Sequence, residues 1–141
     1  MQTGLPRRTT FCLQSSRDTI NRVTVLLSRV FEELGLSEDT TFDIKLAVQE
    51  AVVNAAEHGN NYDEDKKVFV DCQVDAEAIT VVVRDEGPGF NPCEVPDPTE
   101  PENVLREHGR GIFLMRNLCD EIRYNTKGDT VTIVKKTCPC E

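Results

Sequence analysis

The 141 residues carry 25 acidic against 16 basic side chains, a formal net charge of −9. A chain of this length fits one domain with a real core and is too short for two ordinary ones. The charge argues against broad nucleic-acid binding, which needs a cationic face to release counterions from phosphates, so an anionic ligand has to be held locally.

In chain order, TTFCLQ (9–14) alternates as an opening strand would. Ile20, Val23, Leu27, Val30, Phe31 and Leu34 recur at helical spacing, and Gly35 closes that helix. Ser37 caps a second helix, which carries FDIKLAVQEAVVNAAEH to a stop at Gly59-Asn60-Asn61. VFVDCQV and AITVVVRD are β-branched runs joined through Asp75 to Glu77, and EIRYNT and TVTIVKK are joined through Lys127-Gly128-Asp129. Both pairs read as hairpins. Between the hairpins, residues 91 to 108 hold four prolines and five acids, leaving room for only a short helical turn around Glu102 to Arg106. Such a long irregular segment in a compact domain is a lid, a binding loop or an unordered stretch. It ends at Gly109, and a third helix is expected over Ile112 to Leu118.

No window approaches the ~18 apolar residues of a membrane span, and MQTGLPRRTT lacks the apolar stretch of a secretory signal. A soluble, cytoplasmic protein with no membrane contact is expected. Cysteines 12, 72, 93 and 119 are scattered, and only Cys138 and Cys140 form a close pair, without the C-x2-C spacing of zinc sites. That pair leaves open a metal or redox function, against reduced thiols in a reducing compartment.

Three places carry chemistry. On a helical wheel, Phe42, Leu46 and Val53 form one apolar arc of the second helix, and Ile44, Ala47, Val48, Ala51 and Ala55 a broader one. Glu50 and Asn54 fall between the arcs, one turn apart. They are either a solvated polar pair or a half-buried pair completed by a bound ion and its ligand. Along AITVVVRD the core-facing row Ile79, Val81, Val83 ends in Asp85. This acid either caps the turn or faces a site, and Gly87 and Gly89 beyond it let backbone come close to something flat or charged. The third place is HGRGIFLM (108–115), with glycines on both sides of Arg110 where a helix should start.

Taken in order, E-x-x-x-N at Glu50 and Asn54, D-x-G-x-G at Asp85, Gly87 and Gly89, and G-R-G at Gly109 to Gly111 resemble the N, G1 and G2 boxes of the GHKL ATPase superfamily, which includes DNA gyrase and sensor histidine kinases. Within it, FDIKLAVQEAVVNAAEHGN and VPDPTEPENVLREHGRGIFLMRNLCDEI look typical of the anti-sigma-factor serine/threonine kinases, the switch-protein kinases, and the likeness runs from about Phe11 to Lys136.

The resemblance implies an α+β class and the Bergerat ATP-binding fold: a two-layer α/β sandwich with helices on one face of a mostly antiparallel mixed sheet. It implies a single domain over 1–141, with a core of about 9–137, a lid at 91–108 and a tail at 138–141. Asp85 would accept a hydrogen bond from the adenine amine, Asn54 would ligate Mg²⁺, and Glu50 would act as general base at the γ-phosphate. Gly87 and Gly89 would line the base site, and Thr130 would contact adenine through water. Gly109 and Gly111 would turn backbone N–H groups toward the phosphates, with Arg110 adding a full charge and a fork of donors. His58 either touches phosphate or lid, or sits at a helix end favoured by the dipole; His108 is similarly open. Neither stands in a separate helical domain as a phospho-accepting histidine would.

The implied function is an ATP-Mg²⁺-dependent protein serine kinase acting as an anti-sigma factor. It would phosphorylate an anti-anti-sigma (STAS-type) partner and sequester a sigma factor, as a homodimer, with no direct nucleic-acid contact. The alternative is a non-catalytic nucleotide-sensing module that sequesters a regulatory partner. Glu50 favours the kinase, because a pure binder needs no base there.

Overall fold

The computed structural model describes residues 6–87 and 117–137. Five strands form one sheet: β1 (Arg7–Gln14), β2 (Lys67–Val74), β3 (Ala78–Arg84), β4 (Glu121–Tyr124) and β5 (Thr130–Lys136). Their spatial order is β1-β2-β3-β5-β4, and every pairing among these described strands is antiparallel. The period-two alternation sets one face: Val68, Val70, Cys72 and Val74 of β2, Ile79, Val81 and Val83 of β3, and Val131 and Ile133 of β5 are all buried.

Two helices close over that face. Helix α1 (Thr19–Glu33) contributes Val23, Leu27, Val30 and Phe31, and α2 (Glu38–Val53) contributes Ile44, Ala47, Val48, Ala51 and Val52, in one continuous core. Each fully buried Val, Leu, Ile or Phe adds at most ~1.5–3 kcal/mol over leaving it exposed, so the two layers hold each other. The result is the expected α+β two-layer sandwich.

The ends of the helices follow from local chemistry. The Ser37 side chain accepts a hydrogen bond from the Thr40 N–H at 3.1 Å, the N-cap expected for α2, with Glu38 and Asp39 in the first turn where the dipole favours acids. Gly35 takes φ +73°, a left-handed conformation that glycine adopts without a Cβ clash, and this lets the chain reverse between α1 and α2.

Two expectations about α2 need correction. Phe42, placed in an apolar arc, is 61% exposed, while Leu46 and Val53 are half-buried. The core meets only the broader arc. The helix also does not run regularly to His58: from Asn54 to Gly59 it widens into a π-helical turn, with the Asn60 N–H donating to the Ala55 carbonyl at 2.8 Å. Such a turn adds one residue through an i→i+5 bond, and a single turn at the end of a helix is too short for periodicity to reveal it.

Among the described residues, Cys12, Cys72 and Cys119 are free thiols, and no group of His, Cys, Asp and Glu could hold a metal ion. Burial pushes the Cys72 thiol up to about 12, with the Asp71 charge adding to it, and burial pushes Cys119 up to about 11. Both are therefore thiols rather than reactive thiolates at neutral pH. Cys93, Cys138 and Cys140 lie outside the described residues, as do residues 91–108 and all but the last two residues of the expected third helix. No helix among the described residues is long and apolar enough to cross a membrane.

Candidate nucleotide site

Where the end of α2 meets the ends of β3 and β5, a cavity of about 130 Å³ opens between the layers. Ala51, Ala55, Val83 and Val131 give it apolar walls, and Asn54, Asp85 and Asp129 bring polar atoms to it. That volume is below the ~300–1,000 Å³ of a whole ligand pocket, so the described lining suits a flat ring rather than a complete nucleotide.

Asp85 continues the buried row of β3 and is itself 7% exposed. Its N–H donates to the Asp129 carbonyl at 3.0 Å, which joins the turn after β3 to the β4–β5 turn. One carboxylate oxygen, Oδ1, accepts the Gly87 N–H at 2.8 Å. Capping the turn and facing the site were alternatives in the sequence; in the structure the same carboxylate does both. Burial holds the Asp85 pKa above the usual carboxylate value; the Gly87 hydrogen bond opposes this and the nearby Asp129 charge reinforces it.

Asn54 is the first residue of the π-helical turn. Its Nδ2 is buried and has no hydrogen-bond partner among the described residues. Because the two ends of a carboxamide have nearly the same outline, a half-turn about χ2 presents the oxygen instead. Glu50 stands one turn earlier on α2, half-buried and outside the described lining of the cavity. The exposed His58 occupies the last turn of the π-helical segment, the helix-end position considered from sequence, and also lines the cavity.

Gly87 follows Asp85 without lining the cavity, and packing as well as flexibility requires glycine there. A β-carbon at Gly87 would overlap the Gly59 carbonyl, and one at Gly59 would overlap the Asp85 carboxylate. Only hydrogen at both positions lets the helix end seat against the acid. Thr130, like Glu50 and Gly87, is outside the described lining of the cavity. Its neighbour Val131 takes the inward position, and Thr130, paired with Arg84, lines a groove on the opposite face of the sheet. Gly89, Gly109, Arg110, Gly111 and His108 lie outside the described residues.

Sequence reasoning passed over Gly59, Asn60, Tyr124 and Asp129. Tyr124 lines the cavity from β4, where the alternation Ile122, Tyr124 was the available signal. Asp129 is fixed by the Asn125 amide at 2.7 Å and the Thr130 hydroxyl at 3.1 Å. Burial pushes its pKa up, but those hydrogen bonds and the Lys127 charge outweigh it and hold it below the usual value. The buried Asn60 joins three segments through its side-chain amide.

The donor set fits the ligands that the sequence suggests. A buried carboxylate acceptor between apolar walls suits a base with an exocyclic amine, and a carboxamide whose buried nitrogen has no partner among the described residues suits, once turned, a hard cation.

A family model described as histidine kinase-like ATPase domain matches residues 13–135. The chain is 32% identical over 131 residues to a serine-protein kinase RsbW of Staphylococcus epidermidis, covering 87% of this chain and 82% of that protein. It is 32% identical over 120 residues to the serine-protein kinase RsbW of Bacillus subtilis, covering 80% and 75%. A solved structure of the RsbU and RsbW domains of Rv1364c from Mycobacterium tuberculosis superposes with a TM-score of 0.66 at 18% identity. That match covers 96% of this chain and 34% of the longer one, and it shows the shared fold. The chain belongs to the histidine kinase-like ATPase family, in its branch of serine-protein kinases.

Proposed function

We propose that the protein is an ATP-Mg²⁺-dependent serine kinase and anti-sigma factor, acting in the cytoplasm as a single-domain protomer of a homodimer. Its substrate is an anti-anti-sigma protein of STAS type, and it sequesters a sigma factor. The observation that carries this reading is that Asp85 and Asn54 line one apolar cavity between the layers, with Glu50 a helical turn away, in a chain of this kinase branch.

Each residue has a chemical task. Asp85, in its buried setting, accepts a hydrogen bond from the adenine amine and so distinguishes it from a guanine carbonyl. Asn54 offers its oxygen to Mg²⁺, which when bound neutralises phosphate charge. Gly87 keeps the backbone close beneath the base, and Gly89 is assigned to the base site by the same D-x-G-x-G motif. Gly109, Arg110 and Gly111 hold the phosphates by N–H groups and a guanidinium, which is how an acidic chain keeps a polyanion. Glu50 takes the seryl proton while the hydroxyl oxygen bonds to the γ-phosphorus and ADP leaves with the bridging oxygen. Thr130, turned to the other face, has no part in the base contact.

The test is transfer of label from ATP to a candidate anti-anti-sigma partner of the same genome, with the labelled residue mapped. Glu50→Gln keeps size but removes the basic oxygen, so transfer falls by roughly 10²-fold or more while ATP affinity stays within a few fold. Equal transfer by the variant removes Glu50 from the chemistry. Binding of partner and ATP by the wild type without transfer makes the protein a sequestering module.

A further inference from the structure

Asn60 is completely buried, and chemistry fixes which way its amide points. The Glu86 N–H can only donate, so Oδ1 must face it, at 2.8 Å; the Lys67 carbonyl can only accept, so Nδ2 must face it, at 2.9 Å. The second Nδ2 proton goes to the Ser15 hydroxyl. One side chain therefore ties together the segment after β1, the start of β2 and the turn after β3. Glu86 closes the ring, its carboxylate accepting the Lys67 N–H at 2.7 Å.

Two features make this more than a satisfied buried amide. The acceptor end holds the residue immediately after Asp85, and the neighbouring Gly59 packs directly on the Asp85 carboxylate. At the same time the Asn60 N–H bonds back to Ala55, across the turn that begins with Asn54.

We propose that Asn60 is a positioning residue for base recognition: through the Glu86 peptide it aims the Asp85 carboxylate into the cavity and couples that aim to the π-helical turn bearing Asn54. This inference rests on the reading of Asp85 as the base contact. It goes beyond that reading by assigning the specificity of the site to a residue that does not line the cavity.

The test is calorimetric titration of the full chain with ATP and with GTP, in the wild type and in Asp85→Asn, Asn60→Ala and Glu86→Ala. Asn60→Ala weakens ATP roughly tenfold and GTP little, so the ATP-to-GTP ratio collapses, while kcat at saturating ATP stays within about twofold. The Glu86 amide also exchanges with solvent faster in this variant, with the central β3 amides unchanged. Glu86→Ala removes only an exposed side chain from the ring, so it folds even if Asn60→Ala does not. It lowers the same ratio by roughly two- to threefold. A folded Asn60→Ala, or failing that Glu86→Ala, that keeps the wild-type ratio while Asp85→Asn loses it overturns the role of Asn60 alone. Retention of the ratio in Asp85→Asn as well overturns the base contact itself and the positioning role with it.

Discussion

The turn after β3 and the turn between β4 and β5 each place an aspartate beside the same cavity, and the two acids are treated in opposite ways. Asp129 receives the Asn125 amide, the Thr130 hydroxyl and, at 3.5 Å, the Lys127 ammonium. Asp85 is buried with the Gly87 N–H as the hydrogen bond that opposes its desolvation. One pKa is pulled down and the other is held up. Deeper burial and fewer donors at Asp85, against the hydrogen bonds and the lysine at Asp129, set the two directions apart.

The severest break of this comparison is Gly59→Ala. The new methyl would strike the Asp85 carboxylate, which has to move out of its position to admit it, so ATP affinity falls by roughly 10²-fold. Titration checks this, with circular dichroism showing that the sheet persists. Asp85→Asn is milder: it keeps the shape and the Gly87 contact but loses the pure acceptor, and ATP weakens by roughly tenfold. Asp129→Ala sharpens the contrast from the other side. It removes the bonds to Asn125 and Thr130 and destabilises the domain by about 1–2 kcal/mol in urea unfolding, with ATP affinity changed by less than about threefold.

The pH dependence of unfolding carries opposite signs for the two acids. The folded-state pKa of Asp129 is lowered, so its contribution is present above the ordinary carboxylate value and is lost as pH falls through the folded value. The folded-state pKa of Asp85 is raised, so its charged form opposes folding, and that penalty is relieved as pH falls through its folded value.

Much of this was legible in the sequence because it depends on short-range patterns. The β-branched runs gave the four strands of the two hairpins, Ser37 the cap, and the alternation Val81, Val83, Asp85 put an acid on the inner face. What escaped depends on long-range geometry. Two of the three side-chain partners of Asn60 lie 45 and 26 residues away, and a polar residue after a helix reads as an ordinary stop. Gly59 is exceptional only because another turn packs on it. Thr130 stands on the face away from the cavity, as the alternation Thr130, Val131, Thr132, Ile133 already indicates, so a direct approach from its side chain to the cavity was not to be expected from the strand pattern. The glycines and arginine of 109–111 carry a legible motif, but they lie outside the described residues.

The claim at the centre of this account is that Asp85 is kept at the expense of the fold because nucleotide needs it. Thermal unfolding of the wild type and Asp85→Asn at pH 7, with and without saturating ATP-Mg²⁺, tests it most directly. The account predicts that the variant melts higher than the wild type when alone, relieved of a buried charge, yet gains less from ATP. A variant that melts lower alone, or that gains as much from ATP as the wild type, would contradict it.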